Sequence, residues 1–232
     1  GDISWAMQLE HALDDLHAIA ALPGRFRIRF SSIELQTVTD GVVRLMSARP
    51  DRFCNYFHLP LQAGCDKVLK DMNRHYDTAA YRARVADLRQ HVSQIGIFAD
   101  VIAGYPTETE ADFEATVAFI REVNLAGLHV FSYSPRPGTP AAALKQLPSG
   151  EIKRRSETLR ALDKELRAAF AASLAGTEQE VFVEEHKNGL PHGITSNFQP
   201  VVLENAAQAH GLVRARITRA EGPLCFGRVL QE

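Results

Sequence analysis

Between residues 26 and 134 an apolar, strand-like stretch gives way four times to a polar or glycine-bearing segment, with helical patterns in between. That alternation restricts the chain to a parallel α/β sheet or barrel. The sharpest unit is residues 99–113, ADVIAGYPTETEADF. An apolar strand over 95–102 enters a Gly104-Tyr105-Pro106 turn, and Thr109 with Asp112 three residues on predicts a capping box at a helix start. Phe113, Val117, Ile120 and Val123 follow near helical spacing, so this face packs inward. Backbone amides of the loop and first helical turn are expected to stay free for a polar ligand at the C-terminal end of the strand. An ordinary βα turn fits the same spacing equally well.

The other units read in the same way. Leu9, Leu13, Leu16 and Ala20 define one face of a helix over 7–21, ended by Pro23-Gly24. Phe26, Ile28 and Phe30 alternate with arginines in a strand that feeds Ser31-Ser32-Ile33-Glu34 into a loop, and a helix follows over 38–47. YFHLPL over 56–61 is the next strand, leading to Gln62-Ala63-Gly64-Cys65-Asp66. Asp77-Thr78 caps a helix carrying Tyr81, Val85, Leu88 and Val92, and GLHVFSYS over 127–134 is the fourth strand, running into PRPGTPAA. In a parallel sheet, functional groups collect where strands end, here Ser32, Glu34, Gln62, Asp66, Asp100 and Arg136. Four strands cannot close an eight-stranded barrel, so the sheet is open or part of the fold lies outside this chain.

A net charge of -2 removes any global attraction to nucleic acid, so an RNA contact needs a local patch. No apolar run approaches a membrane-spanning length and the N-terminus has no signal-peptide pattern, which makes a cytoplasmic protein the expectation. Cys54, Cys65 and Cys225 form no CxxC set, and none of the nine histidines falls in an HxxxH or HExxH pair. Reduced thiols and no metal site are expected.

Pro148-Ser149-Gly150 marks a break, dividing the chain into an α/β unit over 1–148, a connecting helix over 149–175 and a terminal unit over 176–232. The connecting helix has an apolar stripe of Leu159, Leu162, Leu166, Phe170 and Leu174, with its mixed charges read as a solvated face. The terminal unit consists of short alternating segments between turn residues and is expected to form a small β-barrel. In VRARIT, Val213, Ala215 and Ile217 fall on one face, Arg214 and Arg216 on the other, with Arg219 just beyond. Beside Asn197 and Phe198 these arginines suit an RNA-contacting surface. A plain solvated face has equal weight, because this unit holds seven acidic against five basic side chains.

Taken together, these motifs resemble the radical S-adenosylmethionine methylthiotransferases. FHLPLQAGCDKVLKDMNRHY is similar to that family's HLPLQSGSD-x-x-LK-x-M-x-R-x-Y stretch, and DVIAGYPTETEADFEATVAFI to its D-x-I-x-G-x-P-x-ET-x-x-DF-x-x-T stretch. YSPRPGTPAA resembles the end of the family's sixth strand, and the terminal barrel resembles its RNA-binding TRAM domain. RIRFSSIE, MNRHY and LHVFSYSPRPGTPAA look most like the branch that methylthiolates threonylcarbamoyladenosine next to the anticodon of tRNA. A sister branch acts on isopentenyladenosine. The resemblance implies S-adenosylmethionine and 4Fe-4S clusters as cofactors and tRNA as partner. It places Asp100 and the backbone of Ile102 to Gly104 against the adenosyl group, Gln62 and Ser32 at the ribose or amino-acid end, Glu34 at the ammonium and Arg136 at a carboxylate.

Two departures accompany it. The CxxxCxxC triad that ligates the family's radical-generating cluster is absent from this chain, and so is its N-terminal cysteine-bearing domain. Cys65 stands where the family has serine and is read as a small-residue replacement. The implied picture is the C-terminal portion of a longer enzyme, a partial radical barrel lacking its first strands and inactive alone. A noncatalytic tRNA-binding protein built on the same scaffold is the rival, and an unrelated (β/α) enzyme for a phosphorylated metabolite comes third.

Overall fold

The computed structural model describes residues 3–230, with side chains from residue 11 onward; the side chain of Leu9, expected on the inner face of the first helix, lies outside the described residues. Helix α1 (Ile3–Ala21) leads to β1 (Ile28–Phe30), α2 (Asp40–Ala48), β2 (Phe53–His58), α3 (Asp66–Asp71), α4 (Thr78–His91), β3 (Gly96–Ala103), α5 (Glu110–Val123) and β4 (Gly127–Ser132). The four strands form one open parallel sheet in the order β1-β2-β3-β4. Alternation along β3 divides its residues between two faces. Ile97, Ala99, Val101 and Ala103 join Phe57, Val85, Leu88 and Ile120 in the core beneath the helices. Phe98, Asp100 and Ile102 face the other way, into what would be the inside of a barrel.

Local chemistry accounts for the boundaries. Asp77 accepts from the Ala80 amide to start α4, and Thr109 with Asp112 forms the reciprocal capping box of α5. Strand β2 ends three residues earlier than the sequence pattern suggests, since Pro60 has no amide to continue a ladder. The chain nevertheless stays tied to β3, with the amides of Leu59 and Gln62 donating to the Phe98 and Asp100 carbonyls at 2.8 Å each. The short helix α3 was not legible as a separate element, because six residues carry too little periodicity.

Helix α6 (Ser149–Ser173) crosses the sheet and buries Leu159, Leu162 and Leu166 against it. One of its charges departs from the expected solvated face. Arg155 is only 3% exposed and donates to the Glu108 and Glu151 carboxylates at 2.8 and 2.7 Å. Strands β5 (Glu178–Lys187), β6 (Leu190–Thr195), β7 (Pro200–Leu203), β8 (Gly211–Glu221) and β9 (Leu224–Val229) then close into a barrel in the order β5-β6-β7-β9-β8. Its core contains Val181, Val201, Leu203, Ala215, Ile217 and Cys225. The turn between β6 and β7 docks under the sheet. The Phe198 ring lies 4.7 Å from that of Tyr56 and 6.0 Å from that of Phe98. Gly96 has no room for a side chain there, since a Cβ would meet the Asn197 carbonyl. Among the described residues, no helix is long and apolar enough to cross a membrane.

Candidate functional site

A cavity of about 590 Å³ opens at the C-terminal ends of β3 and β4, and Gln62, Asp100, Ile102 and Arg136 all line it. Gln62 reaches it from a left-handed backbone position, φ +66°, held by a bridge to Val101. Asp100 and Ile102 are successive residues on the same face of β3, and Arg136 comes from the loop after β4. Arg74 and Tyr133, not singled out from sequence, join the polar lining. The Tyr133 hydroxyl is buried without a hydrogen-bond partner, and its ring meets Tyr105 edge-on at 5.4 Å. An orphaned donor beside a carboxylate, a carboxamide and two guanidinium groups is a lining that suits a polar ligand.

Other expected site residues lie elsewhere. Ser32 and Glu34 are exposed beyond the end of β1 and do not line the cavity; Glu34 reaches only to 4.0 Å from the Arg74 guanidinium. Gly104 is also outside it, with φ +82° and a Cβ position 2.7 Å from Ile152 of α6. Asp66 instead accepts from the Thr78 amide at 2.8 Å and so helps to start α4. Several of the amides expected to be free in the 104–112 stretch are spoken for. The Gly104 amide donates to Glu108 at 2.9 Å, and those of Thr109 and Asp112 are satisfied within the capping box. The reason is electrostatic: a carboxylate in the loop itself satisfies the donors that an external anion would use.

The two loop carboxylates are poised differently. Burial pushes the Glu108 carboxyl up, against the pull of Arg155 and the Gly104 amide. Burial acts on Asp112 in the same direction, but hydrogen bonds from Lys67 and Thr109 outweigh it and hold that carboxyl well below the usual range. Cys65 lies 3.3 Å from Asp112, and burial raises its thiol, as befits a packed small residue rather than a nucleophile.

The three cysteines pack in three separate clusters, so they do not converge and cannot hold an iron–sulfur cluster between them. The histidines are arranged differently from the expectation of no metal site. His58, Asp100 and His129 come together on β2, β3 and β4, with His58 Nε2 2.7 Å from Asp100 Oδ1. No sequence spacing signals this group, because only the order and register of the strands bring it together.

On the terminal barrel, Arg214 and Arg216 are exposed on the outer face of β8 and both donate to Glu178, at 2.6 and 2.7 Å. Arg219 pairs with Glu204 and Glu221 and lies 3.8 Å over the Phe226 ring. Asn197 and Phe198 do not join them on an open surface. Asn197 is fully buried and its carboxamide donates to the Gln94 carbonyl at 3.1 Å, while Phe198 is inserted against Tyr56 and Phe98. The correction has a plain cause, since an apolar ring at a turn tip gains more from an aromatic socket than from water.

Residues 7–120 match the radical SAM superfamily. A tRNA-2-methylthio-N(6)-dimethylallyladenosine synthase of Aquifex aeolicus (strain VF5) is 39% identical over 175 residues, covering 75% of this chain and 40% of the relative. The protein of the same name from Endomicrobium trichonymphae is 32% identical, covering 91% and 51%, and that of Desulfitobacterium hafniense (strain Y51) 34% identical, covering 97% and 52%. The chain thus spans about half or less of the length of these curated relatives. Among solved structures, coproporphyrinogen III oxidase from Escherichia coli, described as a radical SAM enzyme, superposes with a TM-score of 0.51 at 19% identity, covering 72% of this chain and 38% of its own. That likeness is one of fold.

Proposed function

We propose that this chain, whose residues 7–120 match the radical SAM superfamily and which is similar to tRNA methylthiotransferases, forms the part of such an enzyme that holds S-adenosylmethionine and grips tRNA. The observation that carries this reading is the single cavity into which Gln62, Asp100, Arg136 and the unpartnered Tyr133 hydroxyl converge. Asp100 and Gln62 accept from the hydroxyls and ammonium of the cofactor, and the planar fork of Arg136 pairs with its carboxylate. Ile102 supplies apolar contact beside the adenine. Bound there, S-adenosylmethionine supplies the radical and methyl chemistry that the family uses. The chain's own cysteines, in three separate clusters, do not fit a 4Fe-4S cluster, so no step through such a cluster is assigned to its residues.

The relatives' names favour dimethylallyladenosine as the modified nucleoside. They do not support the threonylcarbamoyladenosine branch suggested by RIRFSSIE, MNRHY and LHVFSYSPRPGTPAA. One observation keeps that second reading in play: both Arg74 and Arg136 line the cavity, and the threonylcarbamoyl group adds a second carboxylate for a second cation.

The test is mass spectrometry of tRNA nucleosides from cells with and without the complete gene. Loss of the methylthio form of dimethylallyladenosine, with its precursor accumulating, supports the first reading, and loss of the threonylcarbamoyl counterpart the second. No change in either points to a noncatalytic tRNA-binding protein. The RNA surface is tested separately: Arg214→Ala and Arg216→Ala should weaken tRNA binding and lower the slope of log K against log salt by about 1 each. Unchanged binding removes β8 from the interface.

A further inference from the structure

We propose that His58, Asp100 and His129 form a mononuclear site for a borderline divalent cation of the zinc or ferrous class, beside the strand-end cavity. Each residue offers one ligand atom, and the three atoms lie within 4.8 Å of one another. A tetrahedral ion with bonds of about 2.0–2.2 Å needs its donors about 3.4 Å apart, so small side-chain rotations complete the set. Two imidazoles and one carboxylate are the ligands such ions prefer over magnesium or calcium.

The placement argues for a built site. The ligands stand on three neighbouring strands of one parallel sheet, where β2–β3 register pairs His58 with Phe98 and β3–β4 register sets Asp100 directly across from His129. Strand backbones hold donors more rigidly than loops do. The His58 and Asp100 side chains are each 18% exposed, buried enough to be fixed and open enough for an ion to enter. The two imidazole rings lie 4.9 Å apart, and Phe98 sits 6.3 Å from His129 as part of an aromatic floor shared with Tyr56 and Phe198. Of the three, Asp100 also lines the strand-end cavity, so the group lies at the edge of that space. At present the bond between His58 and Asp100 occupies the donor and acceptor that the ion would bridge. Binding therefore replaces this hydrogen bond by two bonds to the ion, with the His58 ring proton carried on Nδ1. The inference rests on this geometry: the ion takes one Asp100 oxygen and leaves the other for the ligand proposed above, and metal uptake is measured apart from that reading.

The experiment uses the purified chain, stripped with a chelator and titrated with Co²⁺ and then Zn²⁺. The expected result is one Co²⁺ per chain with visible d–d absorption, displaced by one Zn²⁺, and a rise in melting temperature with zinc. His58→Gln and His129→Gln should each weaken binding at least about tenfold. Replacing His186 and His210, whose rings stack 4.8 Å apart on the terminal barrel, by alanine should leave it unchanged. A measurement on the unsubstituted chain guards against misfolded variants: the side-chain NMR signals of His58 and His129 should shift with zinc and saturate at one equivalent. The proposal is overturned if the chain takes up no saturable Co²⁺, if binding survives both glutamine variants, if it disappears with the His186 and His210 replacement, or if other histidine signals move instead.

Discussion

Arg155 joins the connecting helix to the loop after β3 through a pair of charges almost wholly removed from water. Removing one member leaves the other buried and uncompensated, which costs about 3–5 kcal/mol. Arg155→Met should lower the unfolding free energy by that order, seen as a lower urea midpoint at unchanged slope, and a loss under about 1 kcal/mol would mean that water enters to replace the guanidinium. Asp112 makes the opposite kind of contribution. Its folded-state carboxyl titrates below the ordinary value of about 3.9, so its stabilising effect is present above that pH and is lost as the pH falls through the folded value. Asp112→Asn keeps the shape but loses the charge. The stability gap between variant and parent, about 1 kcal/mol at pH 7, should shrink as denaturation is measured from pH 5 towards pH 2. A gap that widens on acidification would reverse the assigned direction.

At the scale of the element, the 104–112 loop is a strap between a strand, two helices and the cavity floor. Gly104 has φ +82° and sits against Ile152, so a methyl group there meets both backbone strain and helix α6. Gly104→Ala should cost about 1–3 kcal/mol in chemical denaturation. Paired with Ile152→Ala, which makes room, part of that loss should return. Full additivity would show that strain at φ, and not the helix contact, sets the cost. The loop was expected to offer free amides to a ligand; in the fold its own Glu108 and Asp112 take those of Gly104 and Thr109. The strap therefore shapes the cavity wall, and the polar contacts to a ligand are left to side chains on β3 and the loop after β4.

For the whole molecule, the terminal barrel is held to the rest of the chain by an aromatic plug, a few buried amides, the Arg27–Glu180 ion pair and the packing of Ala171 and Leu174 into its core. Phe198→Ala removes a ring packed on Tyr56 and Phe98 and should cost about 2 kcal/mol. It should also split one calorimetric transition into two, whereas a single unshifted transition would show that the remaining contacts couple the units. What the sequence determined by itself was everything carried by local chemistry and short periods. Thr109 and Asp112 spelled out their capping box, Tyr81, Val85 and Leu88 their buried helical face, and Ala215 and Ile217 the inner side of a barrel strand. Of the six strand-end groups, Gln62, Asp100 and Arg136 reach the cavity, because a parallel sheet delivers such positions to one edge wherever its strands lie in the order. Tertiary structure decided the rest. Asn197 and Phe198 turned inward because a socket on a distant strand received them, and Arg155 became buried because Glu108 was waiting across the fold. His58, Asp100 and His129 are 42 and 29 residues apart along the chain, yet adjacent through strand order and register. Those are long-range quantities. No local pattern of residues encodes them, because their energy comes from contacts that exist only once the chain has closed on itself.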